Sequence, residues 1–274
     1  VVTAAVATEA PALAATGLDL PNVRGVLPNG LRYVIVKHEI PPGFFEAHLE
    51  FHVGSVDEDE NQRGMAHFME HVCFLGSEKR DRLMRAGCGL TSNALTDFHH
   101  TVYHASVPSP RLAEGLDMLA EVGFSPAFRS DRIEKERAAV LSEAQMVNDV
   151  HYRMQTQILG ACHAENPIHE RFPIGLENQI SRWTQEELRA FHSRWYVPEN
   201  ATLYVVGDVS EDLVAEEVRR VFGKFQNKLT ATLADDAWQM DGRSLFRPPM
   251  PLRREVLHEY SRRGGGEPVA LKAW

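Results

Sequence analysis

The pattern of apolar and polar positions begins with a hairpin. Asn29-Gly30 separates VRGVL from LRYVIV. Asn-Gly between apolar runs predicts a tight turn, because both central residues must tolerate positive φ. Strict alternation over residues 47–54, AHLEFHVG, predicts a third strand. SVDEDENQR, residues 55–63, reads as an acidic surface loop, and Gly64 opens a run of helical periodicity over 65–76. LTSNALTDFHHTVYHASV, residues 90–107, is rich in Thr, Val and aromatics and predicts one or two strands. The stretch before it, GSEKRDRLMRAGCGL, reads as a short loop.

Helical spacing returns at Leu112, Leu116, Met118, Leu119 and Val122. A long helical stretch over 129–160 begins at Ser130 and Asp131, the expected caps. TQEELRAFHSRW, residues 184–195, opens with a Thr-x-x-Glu capping box. NATLYVVGDV, residues 200–209, reads as a buried strand, and EDLVAEEVRRVFGKF as a closing amphipathic helix that ends near Gly223. Strands, a helix, strands, several helices, a strand and a helix predict an α+β fold. The expected architecture is a two-layer sandwich of helices on a largely antiparallel sheet.

The flanks differ in character. Residues 1–20 are Ala-rich, with no Lys or Arg before Arg24 and with Glu9 and Asp19. They fit neither a signal nor a transit peptide and are expected to be a flexible leader. Residues 21–225 form the expected domain. Residues 226–274 carry Pro248, Pro249, Pro251 and Gly264 to Gly266 with poor periodicity, and read as a linker-like tail.

The 274 residues are 43% hydrophobic, enough for a substantial core. A net charge of -9 argues against a nucleic-acid binder. No apolar run approaches the ~18 residues of a membrane span. Three cysteines, Cys73, Cys88 and Cys162, match no disulfide framework and favour a reducing compartment.

The candidate chemistry lies in GMAHFMEHVCFLG, residues 64–76. His67 and His71 are four apart and share one helix face, so two imidazoles can reach one ion. Glu70 falls near the same face, where it can touch a water beside that ion. The order H-x-x-E-H inverts the common H-E-x-x-H zinc motif. Catalytic zinc takes three protein ligands and keeps a fourth position open. Cys73 lies about 200° round the helix from His71 and is expected in the core. Glu136 and Glu143, in EKERAAVLSEAQMVND, lie seven apart on one face of another helix. Either could approach the ion, although taken by itself the spacing is better accounted for by a solvated acidic pair. His99, His100 and His104 leave room for a second metal site, but alternation along a strand puts His99 and His100 on opposite faces, and they are otherwise read as structural.

HFMEH followed by Glu-x6-Glu on a later helix resembles the metal signature of the inverted-zincin (M16, pitrilysin) metallopeptidases. HFMEHVCFLGSEKR, SNALTDFHHTVYH, EKERAAVLSEAQM, ERFPIGLENQI and FHSRWYVPENATLYVVGDV extend the likeness in collinear order from about Leu20 to Phe225. It is strongest to the chloroplast stromal processing members. The resemblance implies a zinc metalloendopeptidase in the chloroplast stroma acting on unfolded or short peptides such as transit peptides. It implies Zn2+ held by His67, His71 and Glu143, with Glu136 orienting a ligand and Glu70 as general base. Asn93 and Ala94 match the family's N-A-x-T edge strand, which pairs with the substrate backbone. Family members work as pairs of modules, so a second M16 module or a homodimer is expected to complete the site with an arginine and a tyrosine. Arg253, Arg254 and Tyr260 are not placed as substitutes by the sequence. The alternative is a non-catalytic M16-fold scaffold or partner subunit.

Overall fold

The computed structural model describes residues 22–75, 77–86, 89–163 and 167–227. The expected leader, nearly all of the expected tail with its Arg253, Arg254 and Tyr260, and Cys88 lie outside these residues.

Six strands form one sheet: β1 (Val23–Val26), β2 (Arg32–Lys37), β3 (Phe44–Phe51), β4 (Thr91–Thr96), β5 (Thr101–Pro108) and β6 (Ala201–Gly207). Their order is β1-β2-β6-β3-β5-β4, and only the β2–β6 pair is parallel. The helices are α1 (Met65–Leu75), α2 (Glu78–Arg85), α3 (Leu112–Phe124), α4 (Ser130–Val147), α5 (Val150–Cys162), α6 (Glu177–Ile180), α7 (Gln185–Trp195) and α8 (Glu211–Phe222). This is the expected α+β architecture with a largely antiparallel sheet.

Alternation decides which sheet face is covered. Phe45, Ala47, Leu49 and Phe51 of β3 are buried with Tyr103, Ala105 and Val107 of β5 and Leu203 and Val205 of β6. Helix α3 lies on this face. A Cβ at Gly123 would meet Leu49 Cδ2 at 2.6 Å, so the small residue permits the close approach. Glu46, His48 and Glu50 of β3 alternate to the opposite face, as does His104 of β5. That second face carries most of the sheet's polar chemistry.

Four local readings need correction. The β1–β2 connection runs over residues 27–31, and only Gly30 takes positive φ. Asn29 instead donates to the carbonyls of Phe222 and Phe225, at 2.9 and 2.8 Å, and anchors the hairpin to the end of α8. The stretch read as a loop before residue 90 contains α2. It was hidden because only Leu83 is buried, so no apolar stripe exists. Its stability rests on the Ser77 cap, Glu78 in the first turn and Arg82 and Arg85 in the last. Neither Ser130 nor Asp131 holds the cap position, which falls to Arg129: Ser130 Oγ donates to Gln185, and Asp131 lies in the first turn and pairs with Arg129. The long helical stretch breaks at Asn148-Asp149, where Asp149 accepts from the Tyr152 amide at 2.8 Å and starts α5. The capping box at Thr184 and Glu187 forms as expected.

Candidate metal centre

Helix α1 buries Met65, Ala66, Phe68, Met69, Val72 and Cys73 and turns His67, Glu70 and His71 toward α4 and β4. Burial pushes the Cys73 thiol well up, so it is a core residue, as its position on the helix predicted.

The start of α1 is fixed by a residue that the sequence placed in an exposed loop. Glu58 is buried, and its carboxylate accepts from the amides of Gly64 (2.9 Å) and Ala66 (2.8 Å). A carboxylate there meets both the free N–H groups and the positive end of the helix dipole. Burial pushes its pKa up to about 8, against the pull of those two amides and of Arg171. The available signal was an acid a few residues ahead of a helix start, within a run of acids that read as solvated.

Helix α4 supplies the other wall. Its buried stripe is Ile133, Glu136, Arg137, Val140 and Ala144. Arg137 locks it by donating to the carbonyls of Ile180 and Trp183. Both carboxylates then meet the histidines. Glu143 Oε2 lies 3.6 Å from His67 Nε2 and 3.6 Å from His71 Nε2. Glu136 Oε2 lies 3.6 Å from His71 Nδ1, on the far side of that ring. The imidazoles stand edge to face, with centroids 4.8 Å apart.

These three donors suit a zinc ion. One atom from each of His67, His71 and Glu143 lies within 4.8 Å of the others. Tetrahedral bonds of 2.0–2.1 Å would put the donors ~3.4 Å apart, close to the spacing seen. His67 is held near a pKa of about 4, chiefly by burial and then by His71, so its ring is neutral and able to ligate at neutral pH. Its Nδ1 is buried without a hydrogen-bond partner, an uncommon state for a ring nitrogen.

Glu70 sits beside this cluster. Burial raises its pKa most, Glu143 raises it further, and the Thr96 hydrogen bond and His71 oppose them. Thr96 Oγ1 donates to Glu70 Oε2 at 2.9 Å. That contact brings the end of β4, an edge strand of the sheet, to the carboxylate. Ala94 shares the Thr96 face, and Asn93 points to the opposite one. The structure thus gathers His67, Glu70, His71, Glu136 and Glu143 in one place and sets Ala94 beside them. The Asn93 side chain is directed elsewhere.

His99 and His100 are not strand residues. They lie in the β4–β5 turn, and both their amides donate to Asp97 Oδ1 at 2.6 Å, so the alternation argument does not apply to them.

The family model described as insulinase (peptidase family M16) matches residues 33–171, about half of the chain, including every residue of this cluster. The chain belongs to the M16 peptidase family. A second M16 model, described as the inactive domain, matches residues 182–263 of this M16 chain. The stromal processing peptidase of Arabidopsis thaliana is 50% identical over 220 residues, which is 76% of this chain and 17% of that protein. A probable zinc protease of Escherichia coli, PqqL, is 31% identical over 207 residues, 72% of this chain and 22% of that one. The crystal structure of the E. coli periplasmic protease PqqL superposes with a TM-score of 0.72 at 29% identity, covering 78% of this chain and 25% of that one. The M16 chain therefore spans about a sixth of the length of the stromal processing peptidases it matches.

Proposed function

We propose that the chain is the zinc-binding module of a metalloendopeptidase that cleaves unfolded or short peptides, transit peptides among them, in the chloroplast stroma. A second M16 module, or a second copy of this one, completes its site. The observation that carries the reading is the convergence of His67, His71 and Glu143 beside a buried carboxylate, Glu70.

His67, His71 and Glu143 would hold the ion, and Glu136 would orient the His71 ring. A zinc ion in such a site supplies Lewis acidity, which makes water a competent nucleophile near pH 7. Glu70 takes the proton from the attacking water and returns it to the leaving amine. Burial raises its pKa above the ordinary carboxylate value, which favours the second of these roles, holding the proton for the amine.

The edge of β4 would align the substrate. Asp97 N donates to His100 O at 2.9 Å and closes the β4–β5 hairpin with a hydrogen-bonded pair. Bonded and non-bonded pairs alternate along an antiparallel ladder. The register then turns the N–H and C=O of Ser92, Ala94 and Thr96 outward, away from β5. An extended peptide can add there through main-chain bonds with little sequence preference. Ala94 thus contributes to the substrate strand through its backbone, whereas the Asn93 N–H and C=O face β5.

The need for a second module is supported on α4 and α5. Met146, Val150, Met154 and Ile158 recur at helical spacing, and all are exposed, while α5 buries no residue. Such a strip suits burial against another module. Stromal placement rests on the 50% identity to chloroplastic relatives. Among the described residues no helix is long and apolar enough to cross a membrane.

The test is cleavage of an unstructured transit-type peptide by the zinc-loaded chain, with and without a second M16 module. Cleavage should stop with a chelator and in Glu70→Gln, while Glu70→Gln retains zinc. Equal cleavage by the wild type and Glu70→Gln would contradict the proposal.

A further inference from the structure

A second group of metal-ligating side chains lies on the opposite face of the sheet. Glu50 of β3, His52 just beyond it and His100 in the β4–β5 turn bring one donor atom each within 4.8 Å of the others. Glu50 Oε1 is 3.5 Å from His52 Nδ1 and 3.4 Å from His100 Nε2. The geometry repeats that of the first cluster, two imidazole nitrogens converging on one carboxylate oxygen at close to the tetrahedral spacing of ~3.4 Å for 2.0–2.1 Å bonds.

The rings are held for this purpose from behind. His52 Nε2 lies 3.0 Å from Thr202 Oγ1, and His100 Nδ1 lies 3.5 Å from Asp97 Oδ2. Such outer partners fix which nitrogen of a ligating histidine faces the ion. The backbone is fixed as well. Asp97 holds the His99 and His100 amides, and the amides of Ser55 and Val56 donate to the carbonyls of Asp97 and Phe98. The three donors therefore come from a rigid strand end and a braced turn. Glu50 and His52 keep only 19% and 22% of their side-chain surface exposed, and His100, at 41%, is the more open of the three.

Glu50 Oε1 is shared by two imidazoles whose ring centroids lie 5.9 Å apart, and Asp97 faces His100 from its other nitrogen. A divalent cation between the three donor atoms would engage all of them at once. We propose that Glu50, His52 and His100 form a second metal site, selective for imidazole-preferring divalent ions such as Zn2+, Ni2+ or Cu2+. Its ion would tie the end of β3 to the turn that begins next to Thr96. The proposal does not depend on the peptidase reading, because its donors are separate from those of α1 and the variants below tell the two sites apart.

The test is the stoichiometry of Zn2+ bound by the metal-free full chain, followed by calorimetry and confirmed with Co2+ absorption. The wild type should bind two equivalents. His100→Ala and Glu50→Gln, the latter of unchanged shape, should each bind one. His67→Ala/His71→Ala should also bind one, and adding His100→Ala to it should leave none. A His48→Ala control, in the looser Glu46, His48 and His104 group where the pair distance is 4.0 Å, should still bind two. A single equivalent in the wild type that disappears in His67→Ala/His71→Ala would overturn the second site. Loss of the second equivalent in His48→Ala but not in His100→Ala would overturn its assignment.

Discussion

Thr96 Oγ1, at the end of the edge strand β4, donates a 2.9 Å hydrogen bond to Glu70 Oε2 on α1. This bond joins the proposed substrate strand to the proposed base. It also favours the ionised form of Glu70 and so limits the rise in its pKa. Thr96→Val removes the donor and keeps the shape. The Glu70 pKa then rises further, and less of the carboxylate is ionised at a given pH. We expect the acid limb of the kcat/KM profile to move to higher pH, with zinc content unchanged. A profile that superposes on that of the wild type would show that the bond does not tune the base.

The free edge of β4 makes a separate prediction. The ladder turns the Ala94 N–H outward, so Ala94→Pro costs the sheet no hydrogen bond. It removes one donor to an added peptide strand. A hydrogen bond of about 1 to 1.5 kcal/mol corresponds to a roughly tenfold change in affinity. KM for an unstructured peptide should rise about tenfold, with zinc binding unaltered. An unchanged KM would mean that the substrate does not lie along this edge.

His67 links protonation to stability in the metal-free chain. Burial holds its folded pKa near 4, below the ordinary value of 6.5. Between pH 4 and 6.5 the unfolded chain binds more protons at this site, so stability rises with pH across that window. The contribution is fully present above 6.5, amounts to ~3 kcal/mol, and is lost as pH falls toward 4. Urea denaturation at a series of pH values should show this slope, and it should flatten in His67→Phe. Equal slopes in the two proteins would contradict the assignment.

Glu58 and Glu136 separate two kinds of support. Glu58→Ala leaves the amides of Gly64 and Ala66 buried without an acceptor, each worth ~1–3 kcal/mol. The expected result is a less stable chain by several kcal/mol, read as a lower urea midpoint. Glu136→Gln should leave stability nearly unchanged and weaken zinc binding ~10–100-fold through the His71 ring. Urea midpoints and zinc affinities that respond in the opposite sense would exchange the two roles.

The fold was legible where pattern and burial coincide. The capping box of α7 appears in the structure as read, and so does the alternation of β3, although the strand runs over Phe44–Phe51 and not over 47–54. The α2 helix was not legible, because charge pairing and a cap hold it without an apolar stripe. Glu58 was concealed among acids that remain in solvent, since a one-dimensional pattern does not say which acid turns inward. At the candidate site, the spacing of His67, Glu70 and His71 followed from helix geometry alone. That Glu143 meets them depends on how α4 packs against α1, which the family resemblance supplied and local periodicity could not. The pairing of His100 with His52 and Glu50 was out of reach for the same reason, because it is made across strands and a turn.

The most direct measurement is the zinc affinity of the first site, by chelator competition in a His100→Ala background, for chains with Glu143 and with Glu143→Gln. Loss of a carboxylate that lies 3.6 Å from both imidazoles should weaken zinc by at least ~100-fold. Equal affinity in the two chains would show that α4 contributes no ligand, and the zinc peptidase account would fail with it.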